Sequence, residues 1–147
     1  MTTIAWKAGV MAADRRLTDG NCKLGQTTKI FKIRGHLVGL SGDTDRCCLL
    51  RSWFEGGAIE DEWPLDPEKC EASMLVATPD GRLFCYDREP VPIRIENEFY
   101  AAGSGMDFAM AAMHLGCSAE RAVEVACDLD KGSGNGIDVL CLEEKAS

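Results

Sequence analysis

The chain has 147 residues, 46% of them hydrophobic and 27% charged, with a formal net charge of -8 at pH 7. Those proportions exclude a largely disordered chain, the length suits one domain over residues 1–147, and the acidity argues against nucleic acid as a partner. No apolar run reaches the length of a membrane span, and no basic segment followed by an apolar one opens the chain, so the sequence predicts no membrane partner, no secretory signal and a cytoplasmic address.

Residues 3–6 and 9–13 are short apolar stretches on either side of Lys7-Ala8, which predicts a tight hairpin whose first strand begins at the N-terminus. Residues 19–26 are polar and contain glycine, and predict a loop. Residues 29–33 and 36–41, around Arg34-Gly35, predict a second hairpin, so that four strands precede any helix. Asp43 or Thr44 then caps a helix over residues 45–55, with Cys47, Leu50, Trp53 and Phe54 on one face and Gly56-Gly57 at its end.

The acidic, proline-bearing residues 58–67 predict a loop that leads into a short helix near residues 66–72. A third hairpin follows from residues 73–78 and 82–86, because Pro79 presets one turn dihedral and Gly81 tolerates a positive φ. Residues 93–95 and 99–102 continue the strands, and Gly103-Ser104-Gly105 turns the chain into a second helix over residues 106–114. Ser118 opens a third helix over residues 119–129, with an apolar stripe of Ala122, Val125, Ala126 and Leu129. A run of glycines, Gly132-Ser133-Gly134-Asn135-Gly136, precedes a closing strand over residues 137–142. This order of elements predicts an α+β protein in which two antiparallel sheets stack with helices on both outer faces.

Eight cysteines invite a disulfide or metal reading, but none are spaced C-x-x-C and only two histidines accompany them. They read as reduced, structural thiols in a cytosolic chain, with no metal and no cofactor expected.

Chemistry enters at the second residue. Removal of Met1 would leave Thr2 with a hydroxyl nucleophile and a free α-amine that titrates around pH 8, so that base and nucleophile share one residue. Read singly, the other polar candidates have ordinary explanations: Asp14 a turn residue, Lys29 a solvated charge, Ser104 a helix cap, Ser133 part of a flexible loop.

Their order along the chain is more specific. Thr2-Thr3-Ile4, Ala12-Ala13-Asp14-Arg15-Arg16-Leu17-Thr18, Thr28-Lys29-Ile30, Ser41-Gly42-Asp43-Thr44-Asp45, Ala102-Gly103-Ser104-Gly105, and Asp130 three residues before Ser133-Gly134 together resemble the proteasome β-subunit family, in particular its HslV-like bacterial and phage peptidases. The resemblance covers essentially the whole length and is weakest at residues 58–71, where members of the family usually carry a longer helical hairpin.

The resemblance implies a four-layer αββα sandwich of the N-terminal-nucleophile hydrolase type and threonine peptidase chemistry. It implies Thr2 as nucleophile, Asp14 as a buried carboxylate holding Lys29, Gly42 as the backbone N–H donor to an oxyanion, and Ser104, Asp130 and Ser133 as the polar group beside the threonine amine. It further implies a pocket wall at Arg16, Leu17, Cys22 and Thr44, self-assembly into a homo-oligomeric ring, stacked in pairs, unfolded polypeptides as substrates and an ATP-dependent unfoldase as partner. Two departures stand out: Ser41 replaces the alanine or glycine common before Gly42, and Asp43 places a charge beside the oxyanion donor. Two further functions fit the same residues, a non-catalytic ring or scaffold protein that retains the fold, and an amidase acting on a small molecule.

Overall fold

A computed structural model describes residues 2–19, 22–69 and 71–142, the side chains of residues 19 and 22–24 excepted. Met1 and its removal, and the pocket-wall side chain predicted at Cys22, therefore lie outside the described residues.

Six strands precede the first helix: β1 (Thr3–Lys7), β2 (Val10–Asp14), β3 (Arg16–Asp19), β4 (Cys22–Gln26), β5 (Ile30–Ile33) and β6 (His36–Gly42). The helix α1 (Thr44–Glu55) follows, then β7 (Ala72–Ala77), β8 (Leu83–Tyr86), β9 (Ile93–Ile95) and β10 (Phe99–Gly103), the helices α2 (Met106–His114) and α3 (Ala119–Leu129), and β11 (Ile137–Cys141). One antiparallel sheet has the order β10-β1-β2-β11, a second has the order β5-β6-β7-β8-β9, and β3-β4 form a separate ribbon.

Alternation along the strands builds the layers. In β1, Ile4 and Trp6 face the second sheet while Ala5 faces α2 and α3; in β2, Met11 and Ala13 face inward and Ala12 outward. In β7, Leu75 and Ala77 meet the first sheet, and Met74 and Val76 pack toward Leu50, Trp53 and Phe54 of α1. Both faces of each sheet are thus covered, which explains the continuous apolar runs of the central strands. The result is the four-layer αββα sandwich, with α2 and α3 on one side and α1 on the other. Gly39 marks the closest approach of the sheets, since a Cβ there would come within 3.0 Å of Ile4.

Two hairpins turn on two-residue loops with positive φ at both positions, Ala8 at 51° with Gly9 at 78°, and Arg34 at 51° with Gly35 at 78°. That geometry matches the twist of the flanking strands. It also moves the first turn from the predicted Lys7-Ala8 to Ala8-Gly9, with Lys7 paired to Val10.

Three other expectations need correction. Residues 19–26 are not a loop, because β4 pairs with β3. The ribbon belongs to neither main sheet, and Arg16, Leu17 and Thr18 are only half-buried, so among its described side chains β3 has no fully buried face to impose an apolar alternation. Among the described residues of 66–72 no helix forms: a single 3-10 turn occupies Glu60–Glu62, the Asp66 carboxylate accepts from the Glu68 N–H at 3.0 Å, and Ala72 already opens β7. The buried stripe of α3 is Ala119, Ala122, Val123 and Ala126, whereas Val125 is half-buried and Leu129 is 61% exposed. The chain leaves helical geometry at Asp130, directly after Leu129, which ends the buried stripe one turn early.

Among the described residues no helix is long and apolar enough to cross a membrane. Among the described residues, Cys47, Cys48, Cys85, Cys117, Cys127 and Cys141 are not joined in disulfides.

Candidate active site

Asp14 ends β2 and is fully buried, which for a carboxylate demands compensation on every side. One oxygen accepts from the Thr3 N–H at 3.0 Å and the other from the N–H groups of Arg16 at 3.1 Å and Gly134 at 3.0 Å. The Lys29 ammonium, itself 7% exposed, donates to both, at 2.9 and 3.1 Å. With these lone pairs engaged, Asp14 is built to fix Lys29 and the start of β1 in place and has little capacity left for a substrate proton. Asp14 and Lys29 are therefore neither a turn residue nor a solvated charge. Burial pulls the Lys29 ammonium below its ordinary value, while the Asp14 charge and hydrogen bond pull the other way.

Thr2 is 5% exposed and sits immediately before β1. Its backbone is held on the other side by the turn after β10. Gly105 N–H reaches the Thr2 carbonyl at 3.3 Å, and a Cβ on Gly103 would overlap that same oxygen, which is why the turn needs a glycine at φ 93°. A Cβ on Gly105 would likewise overlap the Thr3 hydroxyl.

A chain of hydroxyls around one carboxylate reaches the Thr2 nitrogen. The Thr2 N–H donates to Ser104 Oγ at 3.3 Å, and Ser104 and Ser133 hydroxyls both donate to Asp130 Oδ2 at 2.7 Å. Since Ser133 spends its only proton on Asp130, the 2.6 Å contact between Thr3 Oγ1 and Ser133 Oγ is assigned with Thr3 as donor. Burial raises the Asp130 pKa, but the hydrogen bonds from Ser104, Ser133 and the Gly132 backbone outweigh it and leave the carboxyl below its ordinary value. Ser104 is not the cap of α2, whose N-cap is Gly105 with no side-chain hydrogen bond. Ser133 is fully buried and is no free loop residue.

Two cavities meet at Thr2 and Gly42. The larger, of about 530 Å³, is also bounded by Lys29 and by the predicted wall residues Arg16, Leu17 and Thr44. The smaller, of about 330 Å³, is bounded by Ser104, Ser41 and the start of β7. Gly42 has φ 115°, and a Cβ there would run into the Glu71 carbonyl, so the β6 terminus comes as close to β7 as glycine alone permits. Asp43 lies on the larger cavity and caps α1, its carboxylate accepting from the Asp45 N–H at 3.0 Å. Cys47 also borders this cavity, and burial, with the charges of Cys48 and Asp43, pushes its thiol up to about 11, which keeps it neutral beside Thr2.

All seven candidates thus converge: Thr2, Lys29 and Gly42 on one cavity, Asp14 behind Lys29, and Ser104, Asp130 and Ser133 on the Thr2 nitrogen. Sequence reasoning missed Thr3, which bonds both Asp14 and Ser133, and the Gly134 N–H on Asp14. The threonine pair at the start of the chain was the available signal for the first; nothing in the sequence distinguishes Gly134 from its neighbouring glycines.

No protein-family model matches the chain, and no curated protein matches its sequence. Solved structures do match. Thiobacillus denitrificans BPH in complex with epoxomicin is 21% identical, with a TM-score of 0.71 over 97% of this chain and 99% of that one. The eukaryotic HslV from Trypanosoma brucei is 24% identical, with a TM-score of 0.69 over 95% of this chain and 97% of that one. At such identities the likeness is one of architecture, and it meets the sandwich described above: the chain has the N-terminal-nucleophile hydrolase fold of the HslV-like proteins.

Proposed function

We propose that the protein is a threonine-type endopeptidase whose nucleophile is Thr2, exposed by removal of Met1. The observation that carries this reading is that a buried Asp14–Lys29 pair, with Lys29 on the cavity that Thr2 borders, and a Ser104–Asp130–Ser133 chain that reaches the Thr2 nitrogen come together at one threonine. A structural salt bridge alone does not require a second polar chain ending on the nitrogen of residue 2.

Each group has a step that suits it. The Lys29 ammonium lowers the cost of alkoxide character on the Thr2 hydroxyl, whose proton passes to the free α-amine beside it. The oxygen attacks the peptide carbonyl, a C–O bond forms, and the oxyanion meets the Gly42 N–H. The protonated amine, held by Ser104, returns its proton to the leaving nitrogen as the C–N bond breaks, leaving an acyl ester on Thr2. Water then attacks the ester, giving its proton to the amine, and the hydroxyl is restored with release of the carboxylate product.

By the same likeness the working form is a homo-oligomeric ring, stacked in pairs, that admits unfolded polypeptides delivered by an ATP-dependent unfoldase. The test is the intact mass of the protein before and after exposure to a peptide epoxyketone, with Thr2→Ala as control. Such a reagent needs both the hydroxyl and the free amine of an N-terminal threonine. Loss of Met1 with one adduct per chain, absent from the control, is the expected result; retained Met1 without an adduct overturns the reading.

A further inference from the structure

The two cavities that flank Thr2 differ in what they offer a substrate. A peptide attacked at Thr2 Oγ has its acyl part on one side of the nucleophile and its departing amine on the other. Lys29, which favours the oxyanionic nucleophile, borders only the larger cavity. Ser104, which accepts from the Thr2 nitrogen that must deliver a proton to the departing amine, borders only the smaller one. The leaving nitrogen therefore departs toward the smaller cavity, and the residue attached to it enters there.

Charge separates the cavities as well. The larger carries both signs, Arg16, Lys29 and Arg51 against Asp43 and Asp45. In the smaller, the charged residues are Glu71 and Asp87, and the remainder are small or hydroxylic, including Ser41, Ser73 and Ser104. Glu71 also meets Arg46, which is not part of the cavity wall, at 3.3 Å, a half-exposed pair weak enough in water to share the Glu71 carboxylate with an incoming cation.

We propose that the smaller cavity is the subsite for the residue following the scissile bond, and that Glu71 and Asp87 select a lysine or arginine side chain there. This rests on the peptidase reading above and adds a substrate class to it: peptides cut before a basic residue. An anionic side chain in the same place meets two carboxylates of its own sign.

The test uses two internally quenched peptides of identical sequence except for lysine or glutamate at one position after the intended cut, with the cleaved bond identified by mass. The expected kcat/KM ratio is about tenfold in favour of lysine, the scale of an exposed pair of like or opposite charges. In Glu71→Gln, Asp87→Asn and the double variant the ratio falls, and in the double variant it approaches one. Reading the ratio within each protein cancels any general loss of rate. Equal rates or a preference for glutamate in the wild type, or a ratio unchanged in the double variant, overturns the subsite while Thr2 still forms its epoxyketone adduct. Absence of both cleavage and adduct overturns the peptidase reading itself, and the subsite with it.

Discussion

The two helical layers of the sandwich are built from opposite materials. Against α2 and α3 most of the buried residues are alanine, among them Ala5, Ala12, Ala101, Ala109, Ala119 and Ala122, beside Met113 and Val123. Against α1 they are large, Leu50, Trp53, Phe54 and Met74, with Trp53 meeting the rings of Trp63 and Tyr86 edge-on at 4.8 and 5.5 Å. Alanines have no rotamers and let helix and sheet backbones approach, so the side that carries Asp14, Asp130 and the clamp on Thr2 holds its geometry through the main chain. The aromatic side draws stability from buried area, and its helix lends Cys47, Cys48 and Arg51 to the wall of the larger cavity. Placement of the candidate site and bulk stability are thus divided between layers, which mutations can separate.

The largest effect is expected from Asp14→Asn. It takes the counter-charge from a buried ammonium and turns an amide toward N–H groups that need an acceptor, at a cost of about 4 kcal/mol. Chemical denaturation should register that loss, and no epoxyketone adduct should form; near-native stability in this variant would show that the alanine side does not depend on its buried pair.

A matched pair of substitutions cuts across the comparison more sharply. Trp53→Ala opens a cavity on the aromatic side and should cost about 3 kcal/mol while adduct formation at Thr2 proceeds at the wild-type rate. Ala122→Leu overfills the other side and should cost only about 2 kcal/mol, yet slow adduct formation about tenfold, because α3 leads directly into Asp130. The division of labour fails if the two variants lose stability and reactivity in the same proportion.

The smallest effect is one of pH. The Asp130 carboxyl lies below its ordinary 3.8 in the folded chain, so between the two values the unfolded chain binds the proton first. Its contribution is complete above 3.8 and is lost as pH falls through the folded value. The stability difference between wild type and Asp130→Asn should accordingly shrink on acidification through that window; a gap independent of pH would mean that the carboxylate charge is not what Ser104 and Ser133 stabilise.

How far the sequence was legible follows from how each part is specified. Strands buried on one or both faces write their pattern into consecutive residues, as Ile4, Trp6, Met11 and Ala13 do, and the helices announce themselves by caps at Asp43 and Ser118. In the β3–β4 ribbon the described side chains of β3 are only half-buried, and the polar residues 19–26 read as a loop. The seven candidates could be named only through the order of short motifs, since a polar residue at a strand end says little by itself. The hydrogen-bond partners were not: Thr3 meets Ser133 across 130 positions and Gly134 meets Asp14 across 120, contacts that exist only once both sheets are in register. The smaller cavity was hidden for the same reason, because Glu71 and Asp87 come from separate stretches that line one cavity only once β7 and β8 have paired.

The glycine turn after β10 grips residue 2 by its carbonyl and not by its side chain. Under the proposed peptidase reading, where the nucleophile stands and what the nucleophile is are therefore independent settings of this molecule. Exchanging the threonine hydroxyl for a serine hydroxyl or a cysteine thiol leaves the grip untouched, so the intrinsic reactivities of different nucleophiles can be compared in a single, unchanged frame.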